Sequence, residues 1–332
     1  MCLPVDIAGL YTSGTPFAIY RFPGDSAFHL AGGGAVPGRS FRIVLWLADA
    51  AGAVDAARAL PGLSSCGPWR VSTPRDEYMA TTEALIGSLK ERGGKCVRMR
   101  TICSPDGVRL DINGAVAALF GRYPDAFCHC YYTPRTGLWA GATPELLAEI
   151  GGGEMRTMSL AGTRRRGVPQ PWDSKNRKEQ AMVTDFIVDT LRSLGLEVRQ
   201  GRPETLAYGS IEHICTRISA GLTEDVAPSA ILDALSPTPA VAGYPRAAAL
   251  AEIQKAESAP RRCYAGYVAV DDAEGKFRAY VNLRCAQLSA DGWCVYAGGG
   301  ITPDSDASDE WAETEAKAAP LVSILQDNTL SL

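Results

Sequence analysis

Apolar positions recur with a helical period over residues 75–92, where Tyr78, Leu85, Ile86 and Leu89 share one side and Gly93-Gly94 supplies the stop. Before that helix, residues 1–70 give short strand-like runs, FAIYRF and FRIVLWLA, between Gly and Pro clusters, with no evident chemistry. After it the pattern predicts a strand at 95–103, a helix near 113–120 and a strand at 126–133. GLWAGATPELLAEI (137–150) reads as two short strands around a turn, and a second turn at 151–153 leads into MRTMSLAGTRRRG. A long helix at about 175–195, a helical stretch at 245–257, strands at 264–270, 277–288 and 293–297, and a helix from about 307 complete the chain. Helices and strands mix without βαβ regularity, which points to an α+β fold.

Two helices carry acids on faces that should be apolar. On the helix that starts near Lys175, Asn176, Glu179, Met182, Val183, Phe186 and Ile187 form one stripe at spacings of three and four. An inward carboxylate is costly unless a cation neutralises it. A capping box, with Asn176 as N-cap and Glu179 three residues on, accounts for the same residues without a metal. On the last helix, Glu310, Glu313 and Lys317 lie on the side that continues through Leu321 and Ile324. Acids near a helix N-terminus also complement its dipole, which suits Asp309 and Glu310 better than Glu313. Pro320 should kink or loosen this helix beyond the charged turn. Two acidic turns brought together would make a hard oxygen site of the kind magnesium takes.

Composition narrows the choice of partner. The 332 residues, 46% of them hydrophobic, can bury a large core, and a formal net charge of -4 gives no basic field for nucleic acid. MCLPVDIAGLYTSG lacks the features of a secretion signal, and no apolar stretch is long enough to span a bilayer, so a cytoplasmic protein with no membrane partner is expected. Ten cysteines are scattered without a C-x-x-C pair and read as reduced, mostly buried thiols. Cys128, His129 and Cys130 alternate across a strand, so they are not expected to converge on a metal. AGGGAVPG (31–38) lacks the phosphate-loop ending and the dinucleotide spacing, and reads as a turn.

The order of short motifs from residue 75 onward resembles the chorismate-utilising enzymes, the family of isochorismate synthase, salicylate synthase, anthranilate synthase component I and aminodeoxychorismate synthase. The motifs are KCVRMR (95–100), GATPELL (141–147), LAGTRRRG (160–167), KNRKEQ (175–180), PTPAVAGYP (237–245), LRCAQL (283–288), YAGGGI (296–301) and EWAETEAK (310–317). The resemblance implies one chorismate-binding domain over 1–332, with residues 1–74 as scaffold strands. It implies two stacked β-sheets flanked by helices, with chorismate and Mg2+ held between them. Glu179 and Glu313 match the principal metal ligands, and Glu310 a carboxylate acting through water. Asn176 and Gln180 stand where relatives often carry an acid and a histidine. Arg284 matches the arginine that grips the enolpyruvyl carboxylate, a fit for a guanidinium fork. Gly162, Thr163, His213 and Lys317 match substrate-contacting positions. The Gly298-Gly299-Gly300 run reads as a turn whose N–H groups could approach an anion.

Two positions bear on which member the chain resembles. Lys95 stands where members that use water carry lysine and members that use ammonia carry glutamine; a desolvated lysine can serve as general base on water. Ala161 stands where aminodeoxychorismate synthases carry a nucleophilic lysine, which argues against a covalent amine route. Glu145 matches the acid that protonates the departing hydroxyl, a task needing a raised pKa. The pair describes exchange of one hydroxyl for another, giving isochorismate with no obligatory amidotransferase partner. Salicylate synthase, which goes on to expel pyruvate, is the alternative, and a non-catalytic metal-binding homologue a further one. PTPAVAGYP resembles the form common in isochorismate synthases.

Overall fold

A computed structural model describes residues 3–32, 40–44, 54–55, 68–209, 211–223, 226–271 and 276–331. It begins with α1 (Ile7–Thr12), β1 (Phe17–Arg21), β2 (His29–Gly32), β3 (Ser40–Val44), β4 (Val54–Asp55), α2 (Arg75–Arg92), β5 (Lys95–Cys103), β6 (Val108–Leu110) and α3 (Ile112–Arg122). There follow β7 (Phe127–Thr133), β8 (Gly137–Thr143), β9 (Leu146–Gly151), β10 (Glu154–Arg165), α4 (Ser174–Ser193), β11 (Val198–Gln200), β12 (Glu204–Tyr208), β13 (Ile211–Gly221) and α5 (Pro228–Leu235). The chain closes with β14 (Gly243–Tyr244), α6 (Arg246–Ala256), β15 (Tyr267–Asp271), β16 (Phe277–Val281), β17 (Cys285–Ser289), β18 (Gly292–Ile301), α7 (Ala307–Asp327) and β19 (Thr329–Ser331). Most of AGGGAVPG and the end of FRIVLWLA lie outside the described residues.

Two large antiparallel sheets carry the fold. One runs β14-β5-β18-β17-β8-β7-β1-β2; the other runs β11-β13-β10-β9-β16-β15-β3-β4, with β12 also on β13. Their inner faces share one core, to which Phe127, Tyr131 and Trp139 contribute from the first sheet and Leu147, Val268 and Tyr280 from the second. Phe127 and Tyr280 meet across it with ring centroids 4.1 Å apart. The outer face of the first sheet is covered by α1, α3 and α7, where Phe17, Ile19, Cys128, Cys130 and Leu138 pack against Val116, Leu119 and Leu321. Helix α4 covers β10 and β13 of the second sheet. Strands buried on both faces need apolar residues at every position, so β1, β7 and β8 read as continuous runs and not as alternation.

The element order is α+β as expected, with four local corrections. The single strand expected at 277–288 is two strands: β16 belongs to one sheet and β17 to the other, with the chain switching at Asn282–Arg284. Gly298-Gly299-Gly300 is no turn but part of β18, paired with Met99, Arg98 and Val97 of β5. The N-cap of α4 is Asp173, whose side chain accepts from the Asn176 N–H, so Asn176 and Glu179 form no capping box. Helix α7 also continues unbroken through Pro320, held by the buried residues Ala318, Leu321, Ile324 and Leu325. Among the described residues no helix is long and apolar enough to cross a membrane.

Candidate active site

The chain also changes sheets at Pro144-Glu145, between β8 and β9. This crossover and the one at Arg284 are stitched together: the Ala142 N–H donates to the Arg284 carbonyl (3.2 Å) and the Val281 N–H to the Glu145 carbonyl (3.0 Å). An acid and a guanidinium are thereby fixed on neighbouring backbone segments. Both line a cleft of about 680 Å³, open at its mouth, whose walls also include Lys95, Gly162, Thr163, Glu179, His213, Gly298–Gly300 and Lys317. Ten of the residues expected at the site from sequence line this one space, together with Arg284 itself.

Lys95 opens β5 and is 1% exposed; its Nζ pairs with Glu179 Oε1 at 2.7 Å. Two further lysine–glutamate pairs flank it. Lys175 Nζ lies 2.7 Å from Glu310 Oε1, and Lys317 Nζ lies 2.5 Å from Glu313 Oε1 and donates to the Gly298 carbonyl at 3.0 Å. The glycine strand lets these groups come close. A Cβ on Gly300 would stand 2.5 Å from Glu179 Oε1 and 2.6 Å from Lys95 Cε, so only glycine leaves that pair its room. Gly298 and Met99 oppose each other in the ladder, yet the Met99 N–H donates to Glu257 Oε1 and the Gly298 carbonyl accepts from Lys317. Hence the polar backbone groups of Gly298, and by alternation those of Gly300, face away from β5. Strand β17 pairs only as far as Val295, which leaves that side of the run open to the cleft.

Glu145 is 5% exposed, and burial pushes its carboxyl up to about 7 against the opposing charges of Lys95, Arg284 and Lys317. His213 is held neutral: burial, then the Arg284 and Lys317 charges, depress it to about 3. Its Nδ1 lies 2.9 Å from the Gly162 carbonyl, which can only accept, so the proton sits on Nδ1. Nε2 is then free to accept from Arg284 Nη2 at 3.2 Å. Thr163 Oγ1 is 3.2 Å from the same Nδ1. Gly162 makes this possible at a bulge in β10 between Ala161 and Thr163, with φ +73°. Asn176 Oδ1 closes the bulge by accepting from the Thr163 N–H at 3.1 Å.

Four participants were not singled out from sequence. Lys175 stands one turn before Glu179 on α4, a spacing that could have marked it as facing the same site. Tyr208 underlies Arg284, with Cζ 5.2 Å from its ring centroid, and its hydroxyl donates to the Ala142 carbonyl. Tyr264 and Tyr296 line the cleft as buried aromatics. The latter two had no signal separating them from core residues.

The donor set can be tested against a divalent cation. Among the described residues no three carboxylate, imidazole or thiol groups are gathered as a ready-made metal shell. Yet Glu310 Oε2 is buried without a hydrogen-bond partner, 3.1 Å from where a Gly299 Cβ would stand, with Glu313 Oε1 3.8 Å from the same point. Burial and then the Glu313 charge push Glu310 up; at Glu313 the Lys317 cation and its hydrogen bond overcome burial and hold the carboxyl below its usual range. An orphaned carboxylate oxygen among hard oxygen donors suits magnesium. Cys128, His129 and Cys130 belong elsewhere: they lie within β7, with the two thiols on the outer face and His129 stacked on Tyr131.

A cleft made at two sheet crossovers and walled by paired lysines and glutamates sits in a chain that matches the chorismate binding enzymes. The family model of that description matches residues 73–326, and the chain belongs to the family. It is 32% identical over 268 residues, 74% of its own length, to the salicylate biosynthesis isochorismate synthase of Pseudomonas aeruginosa, of which it spans 54%. Its fold is that of MenF, the menaquinone-specific isochorismate synthase from Escherichia coli (TM-score 0.80, 20% identity, 98% of this chain and 92% of that one). Anthranilate synthase component I from Streptococcus pneumoniae shares it as well (TM-score 0.65, 21% identity, 79% and 61%). The chain spans about half the length of the curated relatives it matches.

Proposed function

We propose that this protein is an isochorismate synthase, an isomerase that converts chorismate to isochorismate. Water attacks ring carbon 2 while the hydroxyl on carbon 4 departs. The observation that carries the reading is the pairing, in one cleft, of a buried Lys95 with a Glu145 whose carboxyl is pushed up to about 7. Lys95 takes the proton from water, and Glu145 delivers one to the leaving oxygen. Arg284, aimed by His213 and Tyr208, grips the enolpyruvyl carboxylate in bidentate fashion. The outward-facing backbone of Gly298 and Gly300, with Lys317, borders the ring carboxylate. Gly162 and Thr163 shape the wall that holds His213.

Glu179, Glu310 and Glu313 are the residues that would hold Mg2+, and the orphaned Glu310 Oε2 supports that assignment. When bound, the cation neutralises the substrate's ring carboxylate. We place the whole chain in one chorismate-binding domain, acting on a small-molecule substrate without an amidotransferase partner. The test is incubation of the purified protein with chorismate and Mg2+, followed by chromatography of the products. Isochorismate alone is expected. Salicylate with pyruvate would select the salicylate synthase reaction, anthranilate formed with ammonia would overturn the role of Lys95, and no turnover would mark a non-catalytic homologue.

A further inference from the structure

Cys103 ends β5, and Cys294 stands directly opposite it in β18. The Cys103 N–H donates to Ser72 Oγ at 2.9 Å and not across the ladder, which marks a non-hydrogen-bonded pair. At such positions antiparallel Cα atoms approach to about 4.5 Å, inside the range a disulfide spans. The two sulfurs already lie 3.1 Å apart. Their surroundings differ. Cys294 is fully buried, whereas Cys103 is half-buried, 3.2 Å from the Trp69 carbonyl and accessible from the edge of the sheet.

We propose that Cys103 and Cys294 are an oxidation site, forming a reversible intramolecular disulfide when the protein meets a hydroperoxide. Cys103 is the sulfur attacked by oxidant and Cys294 the resolving one. In the first step the Cys103 sulfur attacks a peroxide oxygen, the O–O bond breaks, and hydrogen peroxide leaves one water and a sulfenic acid. In the second, the Cys294 sulfur attacks the Cys103 sulfur, the S–O bond breaks and a second water departs. Two thiols lose two electrons and two protons, and one peroxide becomes two waters. The order follows from access and from acidity. The adjacent Cys294 thiol, with help from Ser72 and the Arg70 cation, holds the Cys103 thiol below its ordinary range against the effect of burial, while burial pushes Cys294 up. The new bond would fix the register of the two strands whose other ends carry Lys95 and Gly298–Gly300.

The full chain, treated with hydrogen peroxide under native conditions, alkylated and digested without reductant, is analysed by mass spectrometry. The expected result is a peptide linking Cys103 to Cys294 that disappears with dithiothreitol, with loss of two alkylatable thiols. In Cys294→Ser the expected result is a Cys103 sulfenic acid captured by dimedone, which the unsubstituted protein does not accumulate. The proposal is overturned if no linked peptide forms at peroxide levels that oxidise other cysteines, if Cys103 links elsewhere, or if Cys103 over-oxidises equally with and without Cys294. Should Cys294→Ser fail to fold, the linked peptide of the unsubstituted chain decides the matter alone.

Discussion

In the proposed reaction Glu145 and Lys95 divide the chemistry because their surroundings differ more than their sequence neighbours suggest. A carboxyl pushed up to about 7 is protonated in part at neutral pH, and the acid role needs that proton. The rate, read as kcat/KM, is therefore expected to fall as pH rises through about 7. Glu145→Gln should lose this limb together with turnover; a limb that survives the substitution would assign it to another group. Lys95→Ala and Glu145→Gln should each lower kcat by roughly 10²–10⁴-fold, the usual range for acid–base groups, while chorismate binding measured by calorimetry stays within a few-fold. Equal losses of binding and rate would contradict those roles. His213 acts through Arg284, to which it offers Nε2. His213→Ala should raise KM by about tenfold with little change in kcat, as expected for losing one hydrogen bond to a charged group.

At the scale of elements, the site exists because two strands leave one sheet for the other at adjacent points, Pro144-Glu145 and Asn282–Arg284. Neither crossover was legible as such. VNLR (281–284) alternates apolar and polar residues across the switch, as a single strand would, so periodicity merges β16 and β17 into one strand. The glycine run of β18 was equally opaque, since glycine is poor in strands and favours turns. It is a strand here because Lys95 and Glu179 occupy the space its side chains would fill. Strands β11 to β13 and helices α1 and α5 are not read from the pattern; β12 and β13 form a hairpin, while β13 takes its long register from β10, distant in sequence. By contrast the helix at 75–92, the strand at 95–103 and the acid stripes of α4 and α7 were readable from spacing alone. What spacing could not supply was the lysine partner of Glu179 and of Glu310, since Lys95 and Lys175 lie on other elements, whereas Lys317 follows Glu313 by one turn. Gly300→Ala puts a methyl where Glu179 and Lys95 meet; turnover should fall by at least about tenfold while the melting temperature moves little, because the cost falls on that pair and not on the core. An unchanged rate would show that the strand's close approach is dispensable.

Across the whole molecule, two sheets with a common core form a rigid base, and helices α4 and α7 bring their acids to one mouth. A chelator should abolish turnover and added Mg2+ restore it if Glu179, Glu310 and Glu313 hold the cation; Glu310→Gln should weaken the Mg2+ dependence measured by titration. Turnover indifferent to chelation would remove the metal from the account. Identity of the nucleophile is the central claim, since the general-base role proposed for Lys95 requires that water attack carbon 2. Conversion of chorismate in water enriched in oxygen-18, with the product read by mass spectrometry at low conversion, tests it most directly. The account predicts isochorismate carrying one solvent oxygen at the new hydroxyl; unlabelled isochorismate, which would mean transfer of the substrate's own hydroxyl, would contradict it.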